Sequence, residues 1–276
     1  MTTESSFRGG SGPPMMLIHG FSATWRVWEP VLAPLTARHD VYAPTLLGHY
    51  GGPPYHAGDP ASPSAIADQL ERDMDALGWE KAHLVGNSLG GWLALELAGR
   101  GRALSTVALA PAGGWPPGGK EDRRLERMFR TNYRMIAWLG ERGRQLVRRP
   151  RFRALTLRDV VARPQNISAR FAAEMLEGAA ACEIYLPFLE VAVKGGFGSL
   201  GDIDTPTRIA WGTADRILRY PEYARRLHEL APDAEWVEMS GLGHCPMLDD
   251  PQETVRIVLE VTEHAGAEQA QPAPAG

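Results

Sequence analysis

The chain of 276 residues has only two cysteines, Cys182 and Cys245, and no apolar run long enough to cross a bilayer. Two cysteines exclude a disulfide framework and a cysteine-rich metal site, so we expect free thiols and no metal. The first residues also lack the apolar core of a signal peptide. We therefore expect a cytoplasmic protein.

A strong excess of one charge is also missing. Lysine and arginine number 29 against 33 aspartates and glutamates, which gives a formal net charge of −4. That balance predicts neither a nucleic acid nor a membrane as partner. We expect a small-molecule substrate and a monomer or homodimer. With 44% hydrophobic residues, the chain is long enough for one large α/β domain with an insertion, or for two small domains.

Short apolar runs alternate with segments of helical periodicity. Strands are predicted at residues 15–18, 41–43, 84–85, 106–110, 207–211 and 235–239. The helix after the second strand is expected to begin at Ser64 as its N-cap and to end at Gly78. Strand and helix alternating at this spacing predict an α/β fold with a mostly parallel, doubly wound sheet.

The alternation stops after Ala110 and resumes only at Thr207. The segment 113–201 has helical patterning and 16 basic against 9 acidic residues, a net +7, while the remainder carries −11. An insertion between two strands is expected to cover the carboxyl ends of the sheet, where open α/β sheets bind ligands. The basic excess is either the solvated face of surface helices, which we favour, or an attraction for acidic substrates.

These patterns predict a domain organisation. We expect an α/β core formed by residues 1–112 and 202–265, a helical cap at 113–201 and a disordered tail at 266–276. The tail is rich in alanine, proline and glutamine.

A Gly-x-Ser-x-Gly motif at residues 86–90 lies between a predicted strand and a predicted helix. In that setting the turn holds Ser88 in a strained conformation with its hydroxyl raised above the sheet. Gly86 and Gly90 are required because a Cβ at either position would collide with the neighbouring backbone. Serine also caps helices frequently, but the flanking strand and helix favour a nucleophile.

A nucleophilic serine needs a base and an acid to orient that base. Of the eight histidines, His244 follows the last predicted strand in a glycine-bearing loop, at the same sheet edge as Ser88. His19 shares that edge, but a structural hydrogen bond is expected for it. Asp215 follows the strand 207–211 and is the best-placed carboxylate, since Asp202 and Asp204 precede that strand.

Over about residues 15–265, the chain resembles the capped enzymes of the α/β-hydrolase fold. The resemblance rests on the order of Ser88, Asp215 and His244 along the chain. It also rests on four motifs, at residues 19–21, 86–91, 211–215 and 243–244. The resemblance implies an oxyanion hole made by the backbone N–H groups of Phe21 and Leu89. Only 14 residues precede Met15, so the sheet edge that relatives build there must be short or missing.

The leading expectation is hydrolysis of carboxylic esters through an acyl-enzyme, which needs no cofactor. C–C bond hydrolysis, lactone opening and perhydrolase activity use the same residues, and some relatives are ligand receptors. Epoxide hydrolases and haloalkane dehalogenases of the fold use an aspartate where this chain has Ser88.

Large apolar residues near the motifs are candidates for the substrate pocket, although such residues more often pack in a core. They are Trp25, Trp92, Trp115, Trp138, Phe188 and Met247.

Overall fold

A computed structural model describes residues 4–192 and 197–270, which include a seven-stranded sheet. The strands are β1 (Ser6–Gly9), β2 (Pro14–Ile18), β3 (Asp40–Pro44), β4 (Ala82–Asn87), β5 (Ala103–Leu109), β6 (Thr207–Gly212) and β7 (Glu235–Met239). Their order across the sheet is β1-β3-β2-β4-β5-β6-β7. Only the β1–β3 pair among these is antiparallel. The predicted mostly parallel α/β sheet is confirmed, and its short edge is the four-residue β1.

Helices cover both faces of this sheet. They are α1 (Glu29–Thr36), α2 (Pro63–Ala76), α3 (Leu89–Gly99), α4 (Lys120–Leu146), α5 (Pro150–Leu157), α6 (Ala169–Ala180), α7 (Tyr185–Ala192), α8 (Arg225–Leu230), α9 (Pro246–Asp249) and α10 (Pro251–Ala270). Within the described ranges, no helix is both long and apolar enough to cross a membrane. Because α10 continues to Ala270, the predicted tail begins as helix, and residues 271–276 lie outside the described residues.

The two hydrophobic clusters lie on opposite faces of the sheet, as β2 illustrates. Met16 and Ile18 pack in one cluster, whereas Met15 and Leu17 pack in the other. Successive side chains of a strand point to opposite faces, so a strand covered on both sides must be apolar throughout. This requirement explains the unbroken apolar runs in the sequence.

One predicted helix boundary is wrong. The N-cap of α2 is Ser62, whose hydroxyl accepts a hydrogen bond from the Ala65 N–H at 3.2 Å. Ser64 lies in the first turn and donates instead to Glu96 at 2.8 Å. Pro63 accounts for the difference, because proline favours the first helical position directly after the cap.

The helices α4 to α7 form the connection between β5 and β6. Phe129 of α4 and Tyr185 and Phe188 of α7 contact the ring of Phe21, with centroids 5.5, 4.7 and 5.1 Å away. Phe21 follows β2 at the carboxyl edge of the sheet. Inside α4, Gly140 has φ 48°, which breaks the helix into two unequal parts.

Candidate active site

Ser88 occupies the single residue between β4 and α3. Its φ of 57° and ψ of −116° are strained for a residue with a Cβ. A Cβ on Gly86 would lie 2.0 Å from the Gly90 carbonyl oxygen, and a Cβ on Gly90 would lie 2.0 Å from that of Ile18. The steric requirement predicted for both glycines is therefore confirmed. The strained turn leaves Ser88 partly exposed between buried neighbours.

The loops after β6 and β7 bring Asp215 and His244 together. Asp215 Oδ2 lies 2.7 Å from His244 Nδ1, and the carboxylate is fully buried. Its other oxygen accepts hydrogen bonds from the Ile217 and Leu218 N–H groups at 2.8 and 2.9 Å. A carboxylate only accepts hydrogen bonds, so the imidazole proton resides on Nδ1. The lone pair of Nε2 is then free to take a proton.

Ser88 and His244 line one cavity of about 370 Å³. Among the described residues, no hydrogen bond joins the Ser88 hydroxyl to the imidazole. Such bonds are often long in unliganded hydrolases and tighten when substrate binds.

Asn87, which sequence reasoning missed, ties the serine turn to the histidine loop. Its amide nitrogen donates to the carbonyls of Leu109 at 3.1 Å and His244 at 2.8 Å. Its oxygen accepts from the Cys245 thiol at 3.4 Å. The only sequence signal was a polar residue at the end of an apolar strand.

Asp249 fixes the histidine loop from the other side. Its buried carboxylate accepts hydrogen bonds from the N–H groups of Gly243, Ala162 and Arg163, each at 2.8 Å. Ala162 and Arg163 lie between α5 and α6. The loop that carries His244 is thereby attached directly to the inserted helices.

The segment after β2 approaches the serine closely. A Cβ on Gly20 would lie 3.2 Å from Ser88 Cβ. His19 holds this segment, since its Nδ1 donates to the Gly20 carbonyl at 2.8 Å and its Nε2 accepts from the Leu46 N–H at 3.0 Å. Burial, together with the nearby His49, lowers the pKa of His19 well below its usual range, which keeps the ring neutral. The structural role predicted for His19 is confirmed.

The backbone N–H groups of Leu89 and Phe21 belong to the two segments that lie next to Ser88. Leu89 begins α3, and the first N–H groups of a helix have no carbonyl partner within it. Phe21 follows Gly20 in the segment that approaches Ser88, and its side chain lines the cavity. These are the groups that the resemblance implies as an oxyanion hole.

The predicted pocket residues separate into three groups. Trp115 and Phe188 line a small apolar extension of about 50 Å³ next to Ser88. Three others pack in the hydrophobic clusters: Trp25, Trp92 and Met247. Trp138 is 82% exposed, on the outer surface of α4.

Helical residues that sequence reasoning did not select complete the cavity walls. Met128 and Phe129 come from α4, Leu176 from α6 and Tyr185 from α7. Helical periodicity alone does not reveal which face of an inserted helix covers a site. Within the part of the chain that the structure describes, no group of three or more potential metal ligands is found.

Comparisons with known proteins identify the family of the chain. The profile of the alpha/beta hydrolase family matches residues 15–257. Epoxide hydrolase EphH of Mycobacterium tuberculosis is 32% identical over 204 residues, which span 73% of this chain and 95% of that protein.

Solved structures share the fold at lower identity. The meta-cleavage product hydrolase CumD from Pseudomonas fluorescens IP01 is 21% identical, with a TM-score of 0.72 and coverage of 94% of each chain. A thermophilic esterase from Thermogutta terrifontis is also 21% identical, with a TM-score of 0.68 and coverage of 94% of this chain and 93% of that one. By its sequence match and its architecture, the chain is a member of the alpha/beta hydrolase family.

Proposed function

We propose that the protein is a serine hydrolase that cleaves carboxylic esters with Ser88 as nucleophile, His244 as base and Asp215 as the orienting acid. The observation that carries the proposal is the strained turn that raises Ser88 into a cavity also lined by His244, whose imidazole is paired with the buried Asp215. All three residues come from loops at the carboxyl edge of the sheet.

In the proposed reaction, Nε2 of His244 takes the proton of Ser88 as its oxygen attacks the ester carbonyl carbon. The resulting oxyanion accepts hydrogen bonds from the N–H groups of Phe21 and Leu89, each worth ~3 kcal/mol in the transition state. The protonated imidazole gives its proton to the departing alcohol, which leaves an acyl-serine. Water, deprotonated by His244, then releases the acid and restores the serine.

The similarity to an epoxide hydrolase suggests a different activity, which the nucleophile disfavours. A carboxylate that opens an epoxide forms an ester, and water readily hydrolyses an ester. Ser88 would instead form an alkyl ether, which this machinery does not cleave. The residue at the turn therefore supports acyl transfer over epoxide opening, although the 32% identical relative has that name.

We further propose that residues 113–201 act as a cap that selects the acyl or alcohol group. Met128, Phe129 and Tyr185 line the cavity above Ser88 and support this role. Most of the walls are apolar, so we propose an ester with apolar substituents on the carbonyl.

Steady-state turnover on p-nitrophenyl esters of increasing acyl length, a lactone, a meta-cleavage product and styrene oxide tests the proposal. We expect repeated turnover of esters and its loss in Ser88→Ala. The matched control is Ser240→Ala, at an exposed serine just after β7. Turnover of the epoxide alone, or a single slow turnover typical of a receptor, would contradict the proposal.

A further inference from the structure

The inserted helices present apolar side chains to solvent around the cavity mouth. Trp138 is 82% exposed, Leu155 59% and Met135 40%, and no other large apolar side chain of the described residues is classed as exposed. Met135 and Trp138 lie three residues apart in α4 and therefore share one helix face. We call these three residues the apolar rim. Single exposed apolar residues are ordinary, but here they share one region.

The apolar rim is continuous with the cavity that contains Ser88. Met135 and Leu155 both line that cavity, together with Ile136 and Phe152. Trp138, one turn further along α4, stands outside it. An apolar phase in contact with the rim would therefore meet the cavity mouth.

Positive charge is concentrated on the same helices as the apolar rim. In six arginines of α4, α5 and the turn between them, the side chain forms neither an ion pair nor a hydrogen bond with any described residue: Arg127, Arg134, Arg142, Arg148, Arg149 and Arg151. Arg149 and Arg151 line a shallow groove that shares Phe152 with the main cavity. Arg134 stands four residues before Trp138 in the same part of α4, and Arg142 follows the break at Gly140.

The acidic residues nearby do not balance these arginines, because other arginines occupy them. Glu126 pairs with Arg130 at 2.8 Å, and Asp159 pairs with Arg158 at 3.7 Å. Glu141 and Glu177 share Arg144, and Glu174 pairs with Arg170. The surface around the rim therefore has uncompensated positive charge.

We propose that the apolar rim and the six arginines dock on the surface of an anionic lipid bilayer. An indole prefers the headgroup level, and arginines near it are attracted to anionic lipids. The charge distribution would orient the molecule on an anionic bilayer, because the segment 113–201 carries a net charge of +7 and the remainder of the chain −11. The prediction of no membrane partner rested on the net charge of the whole chain, which averages over this asymmetry.

A bilayer fits this surface better than a second copy of the chain does. A symmetric dimer through the rim would bring the same arginines face to face, and like charges repel. Docking on the bilayer does not depend on the proposed function. The further step, in which a lipid ester passes from the bilayer to Ser88, does rest on the proposed function.

Co-sedimentation with vesicles of phosphatidylcholine, alone and mixed with phosphatidylglycerol, tests the proposal. The full chain carrying Ser88→Ala is used, so that turnover does not alter the lipids. We expect binding to the mixed vesicles and weak binding to phosphatidylcholine alone. Replacing Arg134 and Arg142 by glutamine lowers the partition coefficient roughly fivefold for each arginine removed.

The rim is tested with Trp138→Ala, which we expect to weaken binding roughly tenfold or more, and Trp138→Phe, which retains part of the affinity. Lys81→Gln, at an exposed lysine directly before β4 and thus at the opposite sheet edge, is the control and binds as the parent does. Thermal melting checks that each variant is folded.

Absent binding, or equal binding to both vesicle types, would overturn the proposal. So would a concentration-dependent dimer without lipid that Trp138→Ala abolishes, since the rim would then be a subunit interface. If docking fails while soluble esters are still hydrolysed, only this inference is lost. If vesicles are bound but no ester is cleaved, only the proposed function is lost.

Discussion

Replacing Asp215 by asparagine exchanges a carboxylate oxygen for an amide NH₂ at the atom that contacts His244. The asparagine oxygen still accepts from the Ile217 and Leu218 N–H groups, which hold the side chain in place. Its NH₂ group therefore faces His244 Nδ1, 2.7 Å away in the parent protein. Two donors would oppose each other, so the imidazole proton moves to Nε2.

That tautomer has no lone pair directed at Ser88. The imidazolium formed during acyl transfer also loses its buried counter-charge. We expect kcat to fall by ~10³ to 10⁴, which corresponds to ~4 to 5.5 kcal/mol of transition-state stabilisation. Both backbone hydrogen bonds to Asp215 survive, so the free energy of unfolding changes little.

Initial rates on a p-nitrophenyl ester and urea unfolding curves measure the two effects separately. The matched control is Asp250→Asn, because Asp250 accepts a hydrogen bond from the Glu253 N–H in the first turn of α10 and forms no hydrogen bond with the imidazole of His244 among the described residues. We expect its kcat to stay near the parent value. If Asp215→Asn retained more than about a tenth of the parent kcat, a loss under ~1.4 kcal/mol, the tautomer argument would be refuted.

Three further predictions concern stability. Gly86→Ala places a Cβ 2.0 Å from the Gly90 carbonyl oxygen and should lower the free energy of unfolding by more than ~4 kcal/mol. The control Gly266→Ala, where a Cβ meets no atom within 4 Å, should lower it by nothing. Equal melting temperatures of the two variants would contradict this prediction. Asp249→Ala leaves one buried and two partly buried N–H groups without their acceptor, so we expect a loss of ~2 kcal/mol or more by urea unfolding, and a parent-like curve would count against it. Burial lowers the pKa of His49 and of His83 from 6.5 to about 4, so the unfolded chain binds more protons at acid pH. The free energy of unfolding is therefore greatest above pH 6.5 and falls towards pH 4 by up to ~3 kcal/mol for each histidine. His83→Asn should make the free energy of unfolding depend less on pH. An unchanged slope between pH 6.5 and pH 4 would exclude His83 as a source of this dependence.

The parallel sheet was predictable because its strands are covered on both faces and so appear as apolar runs. The serine turn was predictable for a steric reason, since close backbone approach at residues 86 and 90 requires glycine. β1 escaped prediction, because a four-residue edge strand with mixed polarity has no periodic pattern. Elements that bury both faces are thus easier to recognise than elements at an edge.

The cavity walls and the supporting hydrogen bonds were much less predictable. Trp92 and Trp138 are both helical tryptophans, yet one is fully buried and the other 82% exposed. Their environments depend on which helix face meets the rest of the chain, and local sequence does not specify this. Asn87 and Asp249 form hydrogen bonds with backbone groups of other segments. Because every segment has such groups, the sequence does not indicate which one is the partner.

Labelling with a fluorophosphonate, followed by peptide mapping, tests the central claim that Ser88 is an activated nucleophile. The reagent modifies a serine only when a neighbouring base activates it. We predict one label, on Ser88, that disappears in Ser88→Ala and forms far more slowly in Asp215→Asn. A label on another residue, or an unlabelled protein that still hydrolyses esters, would contradict the account.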